Sequence, residues 1–389
     1  MTDPIASVLN HSLSRRRLGA AALAGAGLWN FGALAQPAAA ALPKVKVGVG
    51  SLALDAAMAY VMMPPVLGYW RSEGYDGESF SAQSSVQAIQ LLAAGKVDFI
   101  QVNSAPMVQA VIRNKLPLRA VMVSKVIDWS LITPEAGPIK TLADWKGKLI
   151  GVPALGAGGV PLLESYFQAN GIDPKKDITL VAVGAGPAAL AALNAGRVQG
   201  LMFWASAIAG FEAMGGKYRY FFNPEWRRNP DYMLATLQST IDSNPRMVEA
   251  VARGVAKASL YAMTNPDCVR QLHWKAYPTH RPTAGDEAAQ ISLEELRMKA
   301  ERAGMQAALD LGGGKWGRVT GEHFSRLQDL LLESKVIESR LANPEEFVVN
   351  IPGFFDKVNA FDHDAVARLA HPGVLVAGVH LVEEAGNVD

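Results

Sequence analysis

Cysteine is almost absent from this chain of 389 residues, which contains only Cys268. A single thiol cannot form an internal disulfide, and it cannot supply the ligand sets of zinc or iron–sulfur clusters. The seven histidines are scattered, with no pair four residues apart and no His-Glu-x-x-His motif. We therefore expect no metal site and no bound cofactor.

Neither sign of charge is in excess, because 37 basic residues face 36 acidic ones. Nucleic-acid binders normally carry a strong basic excess, so this balance argues against a nucleic-acid partner. Half of the residues are hydrophobic, which excludes a disordered chain. The length suggests about two domains.

Motifs for phosphate binding and hydrolysis are also lacking. Gly48 and Gly50 follow a valine-rich strand but lack the rest of a dinucleotide-binding fingerprint. The sequence has no Gly-x-x-x-x-Gly-Lys loop and no Gly-x-Ser-x-Gly elbow. We therefore predict a protein that is not an enzyme.

The weakly apolar segment at the N-terminus is typical of a targeting signal. Arginines at positions 15–17 follow Ser14, an Ala- and Gly-rich run covers 18–34, and Ala33-Leu34-Ala35 offers a cleavage site. The paired arginines resemble a twin-arginine export signal, so we predict that residues 1–35 address the chain to the export machinery and the periplasm. A retained anchor or an amphipathic segment are the alternatives.

Beyond residue 43, short apolar strands alternate with helices of about ten residues, in two rounds. Such alternation predicts an α/β fold with parallel sheets covered by helices. We expect one lobe from residues 43–131 plus 233–389 and a second from 132–232, so that the chain crosses between them twice. After Asn244-Pro245 the pattern is mostly helical.

Five blocks resemble segments of one family. They are LGYWRSEG at 67–74, SVQAIQLLAAGKVD at 85–98, DWKGKLIGV at 144–152, ALAALNAGRVQG at 189–200 and KWG at 315–317. In this order they resemble the ABC-transporter substrate-binding proteins for sulfonates, taurine, nitrate and thiamine-pyrimidine precursors.

The resemblance implies a type II periplasmic-binding-protein fold with two lobes closing on a small-molecule ligand. It also implies an ABC permease with its ATPase as partners, and we expect a monomer. One alternative is an enzyme similar to the thiamine-pyrimidine synthases, although this chain lacks their Cys-rich segment. Another is a sensory or scaffolding protein of the periplasm.

Ligands of open α/β sheets bind beyond the carboxyl ends of the strands. In this sequence those ends are the loops at 50–55, 103–106, 125–129, 153–159 and 203–206. The candidate ligand-binding residues in them are Leu52, Asp55, Asn103, Ser104, Asp128, Trp129, Gly156, Ala157, Gly158 and Trp204.

Each candidate also has a structural interpretation. Gly156 to Gly158 precede a helix whose free N–H groups could hold an acceptor, or they form a tight turn. Ser104 could contact ligand or cap a helix, and the two acids could accept from an amine or lie in solvent. Trp129 and Trp204 could stack on the ligand or pack in the core.

The loops carry no Arg or Lys except Lys125. An aromatic or apolar organic ligand, with or without a carboxylate, is therefore favoured over a small inorganic anion. The interpretation requires a crevice between two lobes that the protein's own side chains leave free.

Overall fold

The structure is a computed structural model that describes residues 41–283 and 285–370. The predicted export signal lies outside the described residues. Within them, no helix is both long and apolar enough to cross a membrane.

Ten strands occur in the described part of the chain. They are β1 Lys44–Val49, β2 Asp76–Ser81, β3 Phe99–Val102, β4 Leu118–Val126, β5 Ser130–Pro134, β6 Lys148–Val152, β7 Ile178–Ala182, β8 Gly200–Phe203, β9 Tyr218–Phe221 and β10 Pro230–Leu237. In β1 the valines at 45 and 47 are buried and the flanking lysines exposed, as the alternating sequence predicts.

The strands form two five-stranded sheets with the same plan. The first has the order β2-β1-β3-β10-β4 and the second the order β7-β6-β8-β5-β9. In each sheet the first three strands are parallel, and the fourth, β10 or β5, runs antiparallel to both neighbours. The chain passes from the first sheet to the second between β4 and β5 and returns between β9 and β10. The predicted α/β architecture with two crossings is confirmed.

The helices cover the sheets and fill the C-terminal part. They are α1 Ala59–Val66, α2 Tyr69–Ser72, α3 Ser85–Ala93, α4 Ser104–Asn114, α5 Gly159–Ala169, α6 Pro187–Asn194, α7 Ala205–Ala213, α8 Gln238–Ser243, α9 Pro245–Thr264, α10 Pro266–Ala276, α11 Glu287–Leu311, α12 Gly321–Glu333, α13 Phe354–Asn359 and α14 His363–Leu369.

The longest helix, α11, packs on both halves of the molecule. It contacts β4 of the first sheet and α7 beside the second sheet. Asp286 caps its start by accepting a hydrogen bond from Ala289 N at 2.9 Å. This helix is therefore a third link between the two sheets, in addition to the two crossings, and sequence reasoning did not assign it that role.

Two local predictions differ from the structure. The sequence Pro64-Pro65 predicts the start of a helix over 66–73, whereas both prolines lie in the last turn of α1, which begins at Ala59. The sequence pattern also favours crossings between the lobes at 131–137 and 230–237. These segments instead largely form β5 and β10, which pair with antiparallel neighbours in each sheet. The chain changes sheet a few residues before each, and the lobe boundaries placed at 131/132 and 232/233 fall inside these strands.

Candidate functional site

A narrow crevice lies at the carboxyl ends of the parallel strands, between the two sheets. Its cavity has a volume of about 20 Å³, which is room for roughly one water molecule. The lining residues are Gly50, Ser51, Leu52, Met58, Gln83, Gln101, Asn103, Trp129, Pro153, Ala157, Gly158, Trp204 and Tyr232. The crevice that the sequence predicts is present, but the protein's own side chains nearly fill it, so the expectation that they leave it free is wrong for this arrangement.

Six of the ten candidate residues line this crevice. They are Leu52, Asn103, Trp129, Ala157, Gly158 and Trp204. The two indoles pack edge to face, with ring centroids 5.5 Å apart. Met58, Gln101 and Tyr232 also line it. They were not selected from the sequence, because Gln101 and Tyr232 lie inside predicted strands and the pattern favours core packing for Met58.

The other four candidates lie around the cavity. Asp55 caps a short 3-10 turn by accepting from Ala57 N at 3.2 Å. Gly156 lies against the start of α3. Ser104 begins α4, and its buried hydroxyl has no hydrogen-bond partner within the described part. Asp128 belongs to a buried ion-pair cluster.

The glycine-rich loop at 156–158, just before α5, narrows the crevice by direct contact with residues that belong to the half built on the first sheet. A Cβ at Gly158 would lie 2.1 Å from Asn103 Oδ1, and one at Gly159 would lie 2.2 Å from the Trp129 ring. Val86 N donates to Gly156 O at 3.3 Å across the same gap. These close approaches require glycine, so in this arrangement the loop serves the closed interface.

A buried ammonium group lies behind the crevice. Lys125 Nζ donates to Asp128 Oδ2 at 2.9 Å and lies 2.7 Å from Glu301 Oε1. It also lies 3.7 Å from the centroid of the Tyr232 ring. Burial opposes the charge of Lys125, but the two carboxylates outweigh it and raise the pKa of the ammonium. The carboxylates of Asp128 and Glu301 therefore compensate the charge of Lys125, the one lysine of the predicted loops.

Glu301 is the less well satisfied carboxylate of this cluster. Its Oε2 has no hydrogen-bond partner in the described part of the chain. Burial raises the pKa of Glu301 to about 7, against the attraction of Lys125. No sequence signal marked this residue, because it lies within an ordinary amphipathic helix about 170 residues beyond its partners.

A third buried carboxylate, that of Asp231, lies at the N-terminus of α4. It accepts from Ser104 N at 2.6 Å and from Asn103 Nδ2 at 2.8 Å. Burial raises its pKa to about 6, although these donors pull in the opposite direction. The carboxylate occupies the position where a helix N-terminus would otherwise hold an external anion.

The backbone is strained beside Asp231. Tyr232 has a φ of 54°, in the left-handed region that bulky residues avoid. The conformation lets its hydroxyl donate to Asp128 Oδ1 at 2.9 Å while its ring lines the crevice. Such strain costs roughly 1–3 kcal/mol and persists only where the surroundings impose it.

Among the described residues, no group of three His, Cys, Asp or Glu side chains is arranged to hold a metal ion. Larger hollows lie elsewhere, such as a groove of about 390 Å³ between α3 and α4. That groove is away from the strand ends where both sheets contribute residues.

Comparison with known proteins adds a family. The family model described as NMT1/THI5 like matches residues 57–268, which is more than half of the chain. No curated protein matches.

Three solved structures illustrate the likeness of fold. The ligand-binding component of an ABC-type import system from Staphylococcus aureus, with zinc bound, is 14% identical, with a TM-score of 0.56 over 81% of this chain and 99% of that one. The alkanesulfonate-binding protein SsuA from Xanthomonas axonopodis pv. citri, bound to MOPS, is 17% identical, with a TM-score of 0.51 over 80% and 98%. A mutant of the desulfurization enzyme DszB with biphenyl-2-sulfinic acid is 14% identical, with a TM-score of 0.52 over 82% and 99%. At these identities the likeness concerns the fold, which is that of periplasmic binding proteins.

Proposed function

The chain belongs to the NMT1/THI5-like family, and from this membership and its crevice we propose that it is a periplasmic solute-binding protein of an ABC importer. It captures a small organic ligand between two lobes and delivers it to a permease and its ATPase. The observation that carries the proposal is the crevice at the strand ends, where both sheets contribute aromatic and amide side chains.

Capture requires that the lobes separate first. The cavity of about 20 Å³ admits no organic molecule, so the closed arrangement must exchange with a more open one. Ligand contacts made by both sides then favour re-closure. Micromolar capture corresponds to about −8 kcal/mol, which an aromatic stack and a few hydrogen bonds across the crevice could supply.

The proposal includes the parts of the chain that frame this site. Residues 1–35 direct export. With the boundaries moved to the starts of β5 and β10, residues 43–129 with 230–370 form one lobe, and residues 130–229 form the other. The chain acts as a monomer in the periplasm.

We propose no enzymatic role. The described residues that line the crevice include no Cys, His, Lys or carboxylate that could act as nucleophile or general base. Incubation with pyridoxal phosphate and iron, as the enzyme alternative would require, is expected to give no pyrimidine product.

The test is native mass spectrometry of the protein purified from its own periplasm. We expect a bound small molecule that is lost from Trp204→Ala, which removes an indole of the crevice. Tyr220→Ala is the control, because Tyr220 is an exposed aromatic of the second sheet outside the crevice. Absence of any ligand, together with no compaction in solution scattering when periplasmic extract is added, would refute the function.

A further inference from the structure

The crevice has no positive side chain to offer a ligand. None of the described residues that line it is Lys or Arg. The nearest ammonium, Lys125, is fully buried and held between Asp128 and Glu301, with the Tyr232 ring against it. An anionic ligand would therefore meet no free cation.

The helix N-terminus that faces the crevice from the first sheet is already occupied. Asp231 accepts from Ser104 N, in the first turn of α4, and from the Asn103 amide that lines the cavity. The start of α5 is covered by the Trp129 ring, which lies against Gly159. The starts of α3 and α7 carry no acidic residue in their first turns, and each helix terminus carries about half a positive charge.

The buried charges around the cavity sum to a negative value. The half-buried guanidinium of Arg227, which donates to Trp129 O, adds a positive charge beside Asp128. The other groups are the three carboxylates of Asp128, Asp231 and Glu301 and the ammonium of Lys125. All four side chains are buried, so their field is poorly screened by solvent. With all of these groups ionised, three negative charges face two positive ones, which leaves one negative charge uncompensated.

The surfaces that remain for a ligand are aromatic and soft. Trp129, Trp204, Tyr232 and Met58 present rings and a thioether to the cavity. The faces of aromatic rings attract cations, and the attraction strengthens when water is excluded. The Trp129 indole N–H, buried and without a partner in the described part, is left for an acceptor group on the ligand.

Building on the proposed function, we infer that the ligand is a small organic cation, a protonated amine or N-alkylated nitrogen that also carries a hydrogen-bond acceptor. Trp129 and Trp204 enclose the cationic centre, and the Asp128–Asp231–Glu301 carboxylates stabilise it from behind. The protein's own Asp231 excludes sulfonates and carboxylates from the α4 terminus.

Two sets of probes test this inference, and the three members of each set have similar shapes but different charges. Choline, 3,3-dimethylbutan-1-ol and 3,3-dimethylbutanoate differ mainly in charge, as do benzylamine, benzyl alcohol and benzoate. Calorimetric titration at neutral pH should show at least one cation binding about tenfold or more tighter than its neutral counterpart, and each anion weakest of its set. Equal binding of cation and neutral probe, or tighter binding of an anion, would overturn the inference.

Two variants locate the effect. Asp231→Asn should weaken cation binding severalfold and leave the neutral probe unchanged. Trp204→Leu keeps an apolar wall without a ring and should also weaken the cation selectively, so that one variant remains informative if the other does not fold. A cation preference that survives in both folded variants would contradict the site.

The two proposals can fail separately. If none of the six probes binds, the inference is overturned, while the proposed function is judged by its own extract experiment. If the extract yields a ligand that is anionic at neutral pH, the function stands and the inference falls.

Discussion

Lys125 shows how single residues set the electrostatics of this protein. A fully buried ammonium group is costly unless it is paired and hydrogen-bonded. Here two carboxylates and a tyrosine ring surround it. The arrangement leaves Glu301 short of partners, because Asp128 accepts from both Lys125 and the Tyr232 hydroxyl, whereas Glu301 is paired with Lys125 alone among the described residues.

The raised pKa of Glu301 predicts a dependence of stability on pH. The folded chain retains a proton that the unfolded chain releases between its ordinary pKa of 4.5 and about 7. This contribution is present below about pH 4.5 and is lost as the pH rises through 7. Relative to Glu301→Gln, the wild type should lose roughly 1–3 kcal/mol of unfolding free energy between about pH 5 and pH 8.

Urea denaturation at several pH values measures this difference directly. The comparison with the variant is needed because His273 acts in the opposite direction. Burial lowers the pKa of His273 to about 3, so its contribution is lost as the pH falls below about 6.5. Glu295→Gln, an exposed acid on the same helix, is the control. Parallel pH profiles for wild type and Glu301→Gln would contradict the prediction.

The sequence indicated individual crevice residues better than it indicated the buried charged residues behind the crevice. Trp204 directly follows the apolar strand β8, and Trp129 lies three residues after β4, so both were recognisable in loops at strand ends. Asp231 and Glu301 were not, since Asp231 lies in a strand far along the chain from Asn103, and Glu301 resembles any polar residue of a helix. Pairings over more than a hundred residues leave no local pattern.

Among the elements, α11 contacts both halves of the molecule and helps to hold them together. Arg297 on this helix packs against Gly210 of α7, where an added Cβ would lie 2.7 Å from its Nε. The same guanidinium lies 3.5 Å from Glu294 and 3.8 Å from Asp55. One side chain thus links α11, α7 and the loop after β1.

Removing Arg297 should destabilise the protein, because its buried partner Glu294 would lose its counter-charge. Glu294 is fully buried, and burial raises its pKa to about 7. Arg297→Leu would leave this carboxylate without compensation and is expected to cost about 3 kcal/mol of unfolding free energy. Adding Glu294→Gln removes the charge and keeps an acceptor for Trp274 Nε1, which donates at 3.3 Å.

Urea titration of the single and double variants distinguishes charge from packing. Recovery of most of the lost stability in Arg297→Leu/Glu294→Gln would show that the uncompensated carboxylate carries the cost. A double variant no more stable than Arg297→Leu would show instead that the contact with Gly210 matters more.

Most elements followed from hydrophobic periodicity, which predicts a helix over 104–114 and a strand over 118–126, and these are the bounds of α4 and β4. The strand β2 was missed because Asp76–Ser81 contains no β-branched residue and is half exposed. The strand β9, Tyr218–Phe221, is rich in aromatic residues but has only four residues and is also half exposed. Each is an edge strand of its sheet, stabilised by a single neighbour. Edge pairing depends on that neighbour rather than on the strand's own composition.

For the whole molecule, the repeated sheet order explains where the crevice lies. Both sheets place their parallel strand ends toward the same gap, so loops from each half meet there. The family blocks in the sequence indicated this plan. They could not indicate that glycines at 158 and 159 let the halves meet with almost no space between them.

This closed contact predicts that a covalent bond across it will exclude ligand. A Cβ at Gly156 would lie 3.0 Å from Ser84 Oγ, a separation from which cysteines at both positions can form a disulfide after a small shift. Ser84→Cys/Gly156→Cys should oxidise nearly completely, since the chain's own Cys268 is buried and out of reach. The oxidised protein should take up no ligand from periplasmic extract, as judged by native mass spectrometry, and reduction should restore uptake. Each single variant should bind in both redox states. Uptake by the oxidised double variant would mean that ligand enters without separation of the two halves.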